Sequence, residues 1–273
     1  MAERNKATVE REEALLMSYQ DSVDRVPLLW IHGYPLSNLL WEFQVTDLAD
    51  IARQITPDLR GHGRTESAPP PYSMALLADD CVRLLDHLGF EGPVVIGGLS
   101  MGGYVALEIC RRYPQHVAGL ILAATRAGAD SEAGKAGRDQ AAELVKDQGV
   151  GAIVEAMLPK MLAPETYAEQ PDLVEFVRDM MMETSVEGVV GALAAMRDRV
   201  DSTGDLPLID VPTLVVHGAE DQLIPVSEAE ILATSLPDAE LVIVPGAGHL
   251  LNLEQPDAFN DAVRVFLERY YED

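Results

Sequence analysis

The sequence predicts an α/β fold, a mostly parallel eight-stranded sheet flanked by helices and carrying an inserted helical cap. From Val26 onward, apolar runs of about five to eight residues alternate with helix-length stretches, the pattern of parallel strands joined by crossover helices. Between Thr125 and Pro207 that rhythm stops, and amphipathic stretches separated by Gly and Pro take over. An insertion of that length exceeds an ordinary loop and should have structure of its own. The composition agrees, since 48% hydrophobic residues in a 273-residue chain suffice for a substantial core. The expected organisation is a core domain built from residues 1–125 and 208–273, with the cap at 126–207.

Taken in order, Lys6 to Arg11 and Ala14 to Gln20 alternate and are expected to pair as an antiparallel hairpin across Glu12 and Glu13. Parallel strands are expected at Val26 to Ile31, Ala52 to Thr56, Pro93 to Gly97, Ala118 to Ala124, Thr213 to His217 and Glu240 to Val244. Tyr104 to Arg112 reads as a helix. In the cap, Thr184-Ser185-Val186-Glu187 has the form of a capping box, in which the Thr hydroxyl and the Glu carboxylate satisfy free backbone N–H groups.

Charge and composition exclude several functions. The 20 Lys and Arg against 45 Asp and Glu leave a formal charge of −25, with no cluster of cations. Phosphate affinity rests on such clusters, so no nucleic-acid partner is expected. The longest apolar runs, such as Leu120 to Ala124, fall far short of the roughly 18 to 20 residues of a spanning helix, so no membrane partner is expected either. MAERNKATVEREE lacks the apolar stretch of a secretory signal, and a cytoplasmic location is expected. Cys81 and Cys110 stand apart from any CxxC pair and read as two separate thiols.

The chemistry concentrates in three places. Gly98-Leu99-Ser100-Met101-Gly102 follows the apolar run Val94-Val95-Ile96 and precedes a helix-like stretch, the strand-turn-helix setting of a nucleophile elbow. A serine hydroxyl needs an imidazole to take its proton during attack. His249, in Gly246-Ala247-Gly248-His249 after the last strand, is the expected base, because parallel-sheet sites assemble at carboxyl strand ends. The base needs an acid to fix its tautomer, and Asp221 follows the penultimate strand in the order Ser, Asp, His. Glu220 and Asp130 are its rivals. Negative charge on the attacked carbonyl oxygen calls for backbone donors, expected from the N–H of Met101 and from Tyr34 in the loop His32-Gly33-Tyr34-Pro35. His32 reads as a support for that loop. Six of the ten Met, at positions 157, 161, 180, 181, 182 and 196, fall in the cap, where they suit either a pliable acyl pocket or the cap's own core.

HGYP at 32–35, DLRGHG at 58–63, GLSMGG at 98–103, GAED at 218–221 and GAGH at 246–249 together resemble the α/β-hydrolase superfamily. The elbow is similar to that of bacterial carboxylesterases and 3-oxoadipate enol-lactonases, and HGYPL to the oxyanion loop of arylesterases and cofactor-free perhydrolases. The resemblance implies a Ser-His-Asp enzyme, with no metal and no organic cofactor, acting on a small-molecule ester or lactone under a lid. Superfamily members that attack through aspartate carry it where Ser100 stands, so acyl transfer is the expected chemistry. Lactone hydrolysis and perhydrolysis share the machinery, and a ligand receptor on the same fold is the rival outside enzymes.

Overall fold

The computed structural model describes residues 4–9, 15–21 and 25–271. β1 (Arg4–Val9) and β2 (Leu15–Gln20) form the expected hairpin, pairing antiparallel. Its first strand begins earlier than the alternation suggests, and the turn expected at Glu12 and Glu13 lies outside the described residues. β3 (Val26–Ile31), β4 (Ala52–Pro57), β5 (Val94–Leu99), β6 (Val117–Ala123), β7 (Thr213–Gly218) and β8 (Ala239–Val244) are mutually parallel. The eight strands make one sheet in the order β1-β2-β4-β3-β5-β6-β7-β8, with β2 antiparallel to β4.

Helices cover both faces, which is why the inner strands are apolar throughout rather than alternating with polar residues. Successive side chains point to opposite faces: Leu29, Ile31, Leu120 and Leu122 join one core, and Leu28, Trp30, Ile121 and Ala123 the other. The first core packs under α2 (Met74–His87) and α3 (Met101–Arg112), the second under residues near α1 (Glu42–Asp47). Between β6 and β7 come α4 (Glu132–Gln148), α5 (Val150–Met157), α6 (Thr166–Glu169), α7 (Pro171–Met182) and α8 (Val186–Arg197). α9 (Val226–Ser235) links β7 to β8, adding Ala229 and Leu232 to the first core. α10 (Leu251–Glu254) and α11 (Pro256–Tyr271) follow, and Phe259, Val263 and Phe266 complete the second core.

Two local expectations are corrected. α8 is capped by Ser185, whose Oγ accepts the Gly188 N–H at 2.9 Å, so the expected Thr184 capping box does not form. Thr184 Oγ1 instead donates to the Pro35 carbonyl, tying the insertion to the β3 loop. With the cap shifted by one residue, Glu187 no longer occupies the third helical position that a capping box requires. α3 begins at Met101 rather than at Tyr104, taking in Gly102 and Gly103.

The close approach of α3 to β3 requires glycine at position 102. A Cβ there would lie 2.0 Å from the Ile31 carbonyl oxygen and 2.9 Å from that of His32, both backbone atoms. Gly102→Ala is expected to push the start of α3 off the sheet and to cost about 1–3 kcal/mol, read as a lowered denaturation midpoint.

Candidate active site

The β5–α3 junction holds Ser100 at φ 56° and ψ −114°, a backbone geometry that L-residues rarely adopt. Tight packing holds it there. The Ser100 N–H donates to the Ala123 carbonyl at 2.9 Å, and Thr125 Oγ1 donates to the Ser100 carbonyl at 2.8 Å. A Cβ on Gly98 would meet the Gly102 carbonyl oxygen at 2.3 Å, so the turn closes only with glycine there. Ser100 thus stands partly exposed at the head of α3, where the free N–H groups of a helix start favour negative charge.

The loop after β3 lies beside it, because Ile31 pairs with Gly98 in the register of adjacent parallel strands. An ideal Cβ on Gly33 would come within 3.4 Å of Ser100 Cβ. Among the described residues the N–H groups of Tyr34 and Met101 take no hydrogen-bond acceptor, which leaves both available beside Ser100. In the strand order, β3 lies between β4 and β5, the point where connections leave in opposite directions and a crevice opens at the carboxyl ends.

His32 and His62 support this loop from beneath. The His32 ring lies with Nδ1 2.8 Å from the Gly33 carbonyl, and its Nε2 accepts the Leu59 N–H at 2.9 Å. His62 Nδ1 lies 3.0 Å from the Arg60 carbonyl, and its ring centroid is 5.2 Å from that of His32. Burial lowers His32 to about 3, helped by the neighbouring imidazole, and lowers His62 to about 4. Both rings are therefore neutral when folded, while the unfolded chain protonates near pH 6.5. Between those values the unfolded state binds more protons, so stability is full above about pH 6.5 and falls as the pH drops toward 4. Denaturant midpoints measured from pH 8 to pH 4 are expected to decline in that window, and less steeply in His62→Asn, which loses one buried imidazole.

Asp221 and His249 are brought together by the register of β7 and β8, in which Gly218 pairs with Val244. His249 Nδ1 lies 2.8 Å from Asp221 Oδ2, with the imidazole only 3% exposed and the carboxylate fully buried. The other carboxylate oxygen, Oδ1, accepts the N–H groups of Leu223 and Ile224 at 2.8 and 3.0 Å. Burial alone would raise the Asp221 carboxyl, but the His249 ring and those two N–H donors hold it below its ordinary value. His217 is a second imidazole on the same carboxylate, its Nε2 3.4 Å from Oδ2 and 2.9 Å from the Ile224 carbonyl. Ser100 stands on the same edge of the sheet, two strands from β7, and among the described residues its hydroxyl makes no hydrogen bond to His249. Such bonds tighten on substrate binding.

Neither rival acid reaches His249. Glu220 is exposed, its backbone N–H tied to the Ala247 carbonyl. Asp130 is enclosed by Arg126, Arg138 and Arg199 at 2.7 to 3.1 Å. Asp130 and two of those residues, Arg126 and Arg138, line a cavity of about 540 Å³ with Tyr34, Met157 and Lys160. Among the described residues the Tyr34 hydroxyl and Arg126 Nε are buried without a hydrogen-bond partner. Of the six methionines in the insertion, Met157 lines this cavity, whereas Met161, Met180, Met181 and Met196 are buried in the two cores and Met182 is half exposed. Burial in the two cores shared with the sheet, rather than a methionine-lined pocket, accounts for most of them. Both cysteines are free, Cys81 buried and Cys110 partly so, and burial pushes the Cys110 thiol up to about 12.

One residue at the site escaped the sequence. Glu254, 4% exposed, accepts the N–H of Gly248, the residue before His249. Its signal was a lone acid closing the leucine-rich stretch Leu250-Leu251-Asn252-Leu253. Among the described residues no helix is long and apolar enough to cross a membrane.

The model of the alpha/beta hydrolase family matches residues 28–262. A thermophilic esterase from Thermogutta terrifontis, solved with malate bound, is 39% identical with a TM-score of 0.95, over 99% of this chain and 100% of that one. 3-Oxoadipate enol-lactonase 2 of Acinetobacter baylyi is 29% identical over 248 residues, 90% of each chain. A putative carbamate hydrolase of Agrobacterium fabrum is 31% identical over 247 residues, 88% of this chain and 92% of its own. The elbow at Ser100, the sheet order around it and the family match over 28–262 agree: this chain belongs to the alpha/beta hydrolase family.

Proposed function

We propose that this chain hydrolyses carboxylic esters of small to medium acyl chain through an acyl-enzyme intermediate. The observation that carries this reading is the strained backbone of Ser100, held between β5 and α3 with its side chain engaged in no helix cap. Strain of about 1–3 kcal/mol persists where function needs a side chain presented in one direction. Ser100 Oγ attacks the ester carbonyl while His249 takes its proton, and Asp221 holds the imidazole with Nδ1 protonated. Tyr34 and Met101 donate their N–H groups to the oxyanion. His249 returns the proton to the departing alkoxide. Water, deprotonated by the same imidazole, then releases the acid and restores Ser100. Residues 126–207 act as the cap over this site, and no metal or organic cofactor enters the scheme. A fluorophosphonate probe is expected to label the protein once, at Ser100, by peptide mapping. A protein that hydrolyses esters without labelling there overturns the reading.

A second reading, hydrolysis of a lactone that carries a carboxylate, is favoured by the cation-lined cavity. Arg126, Arg138 and Lys160 line it beside the single carboxylate of Asp130, and among the described residues the Tyr34 hydroxyl and Arg126 Nε lack partners. Rates on p-nitrophenyl esters and on carboxylated lactones, measured side by side, decide between the two.

A further inference from the structure

We propose that Glu254 is a positioning residue that locks the helical insertion to the base loop, so that His249 is held in place only while residues 161–166 are seated. The proposal rests on His249 being the base. Its basis is a carboxylate whose two oxygens serve two different parts of the chain. Oε1 accepts the Gly248 N–H at 2.8 Å, one residue before His249. Oε2 accepts the Ala163 N–H and the Thr166 hydroxyl, each at 2.7 Å, both in the insertion.

No cation pairs with Glu254 among the described residues, and burial raises its carboxyl above the ordinary value, so these three donors alone satisfy the buried carboxylate. Leaving any of them unmatched is costly, which makes the arrangement stiff. The backbones it joins are in direct contact. A Cβ on Gly248 would meet Ala163 N at 2.5 Å and Leu162 C at 2.6 Å. The Leu250 N–H donates to the Met161 carbonyl at 3.1 Å, and Gln222 Nε2, beside Asp221, donates to the Leu162 carbonyl at 3.2 Å. The segment 161–166 therefore grips the chain on both sides of His249 and next to its acid. Among the described residues Glu254 is the one side chain that bonds the base loop and the insertion at once. Displacing the insertion must either break a charge-assisted bond or drag Gly248, and with it the imidazole, away from Ser100.

Two variants test this. Glu254→Gln cannot accept on both sides, because its NH₂ group must face one of the N–H donors. Thr166→Val removes one of the two bonds from the insertion and leaves the Ala163 and Gly248 N–H contacts in place. Glu254→Gln is expected to lower kcat about tenfold to a hundredfold, with KM changed by less than about threefold, and to slow fluorophosphonate labelling in parallel. Thr166→Val is expected to lower kcat by a smaller factor, and to cost nothing further in the Glu254→Gln background. A residue that merely stabilised the fold would change the melting temperature and leave kcat of the folded enzyme intact. Unchanged kcat and labelling in both variants overturn the proposal, and if Glu254→Gln does not fold, unchanged kcat in Thr166→Val suffices. A His249→Ala control separates the two ideas: full activity there overturns the assignment of the base, whereas its loss beside fully active Glu254 and Thr166 variants overturns only the coupling.

Discussion

Ser100→Ala is expected to lower ester turnover by about 10⁴- to 10⁶-fold and to abolish fluorophosphonate labelling, with the melting temperature close to that of wild type. The structural part of Ser100 is played by its backbone, whose N–H reaches Ala123 and whose carbonyl accepts from Thr125. Alanine keeps both bonds and the same left-handed turn. Only the hydroxyl is lost. In the proposed scheme the rate that remains is what the Tyr34 and Met101 N–H groups would supply by polarising the carbonyl toward water. Steady-state rates on a p-nitrophenyl ester, with a melting curve for each protein, make the comparison. Activity within about tenfold of wild type would remove Ser100 from the chemistry.

Asp221→Asn is expected to lower kcat by roughly 10⁴-fold while the fold persists. Two N–H groups, from Leu223 and Ile224, point at Oδ1, so the amide oxygen of asparagine settles there and its NH₂ faces His249. The imidazole must then accept at Nδ1 and carry its proton on Nε2, the nitrogen that has to be free to deprotonate serine. The tautomer, rather than the packing, is what fails. In the proposed scheme the three side chains act as a unit, so adding Asp221→Asn to Ser100→Ala should cost almost nothing more. A loss below about tenfold for Asp221→Asn alone would mean that the imidazole is oriented by another group, and His217, 3.4 Å from the same carboxylate, makes the first place to look.

What could be read without coordinates was local. Strand positions followed from apolar runs, and the turn at Ser100 followed from glycines two residues to either side, since both signals depend on neighbours along the chain. Where they slipped, the cause was also a contact beyond the window. Thr184 left the capping box because Pro35, distant in sequence, offered its hydroxyl an acceptor. α3 reached back to Met101 because Gly102 is needed where the helix meets β3, a fact that a helix propensity scale counts against it.

The chain order of Ser100, Asp221 and His249, the sheet class and the loops on which these residues stand were determined by the sequence. Which carboxylate meets which imidazole was decided in three dimensions. Asp130, Glu220 and Asp221 are alike as letters, and they differ because three arginines enclose the first, a backbone bond to Ala247 turns the second outward, and the pairing of Gly218 with Val244 aims the third at His249. Glu254 was hidden for the same reason. Its donors lie 6, 88 and 91 positions away, and only a folded backbone can bring them to one carboxylate.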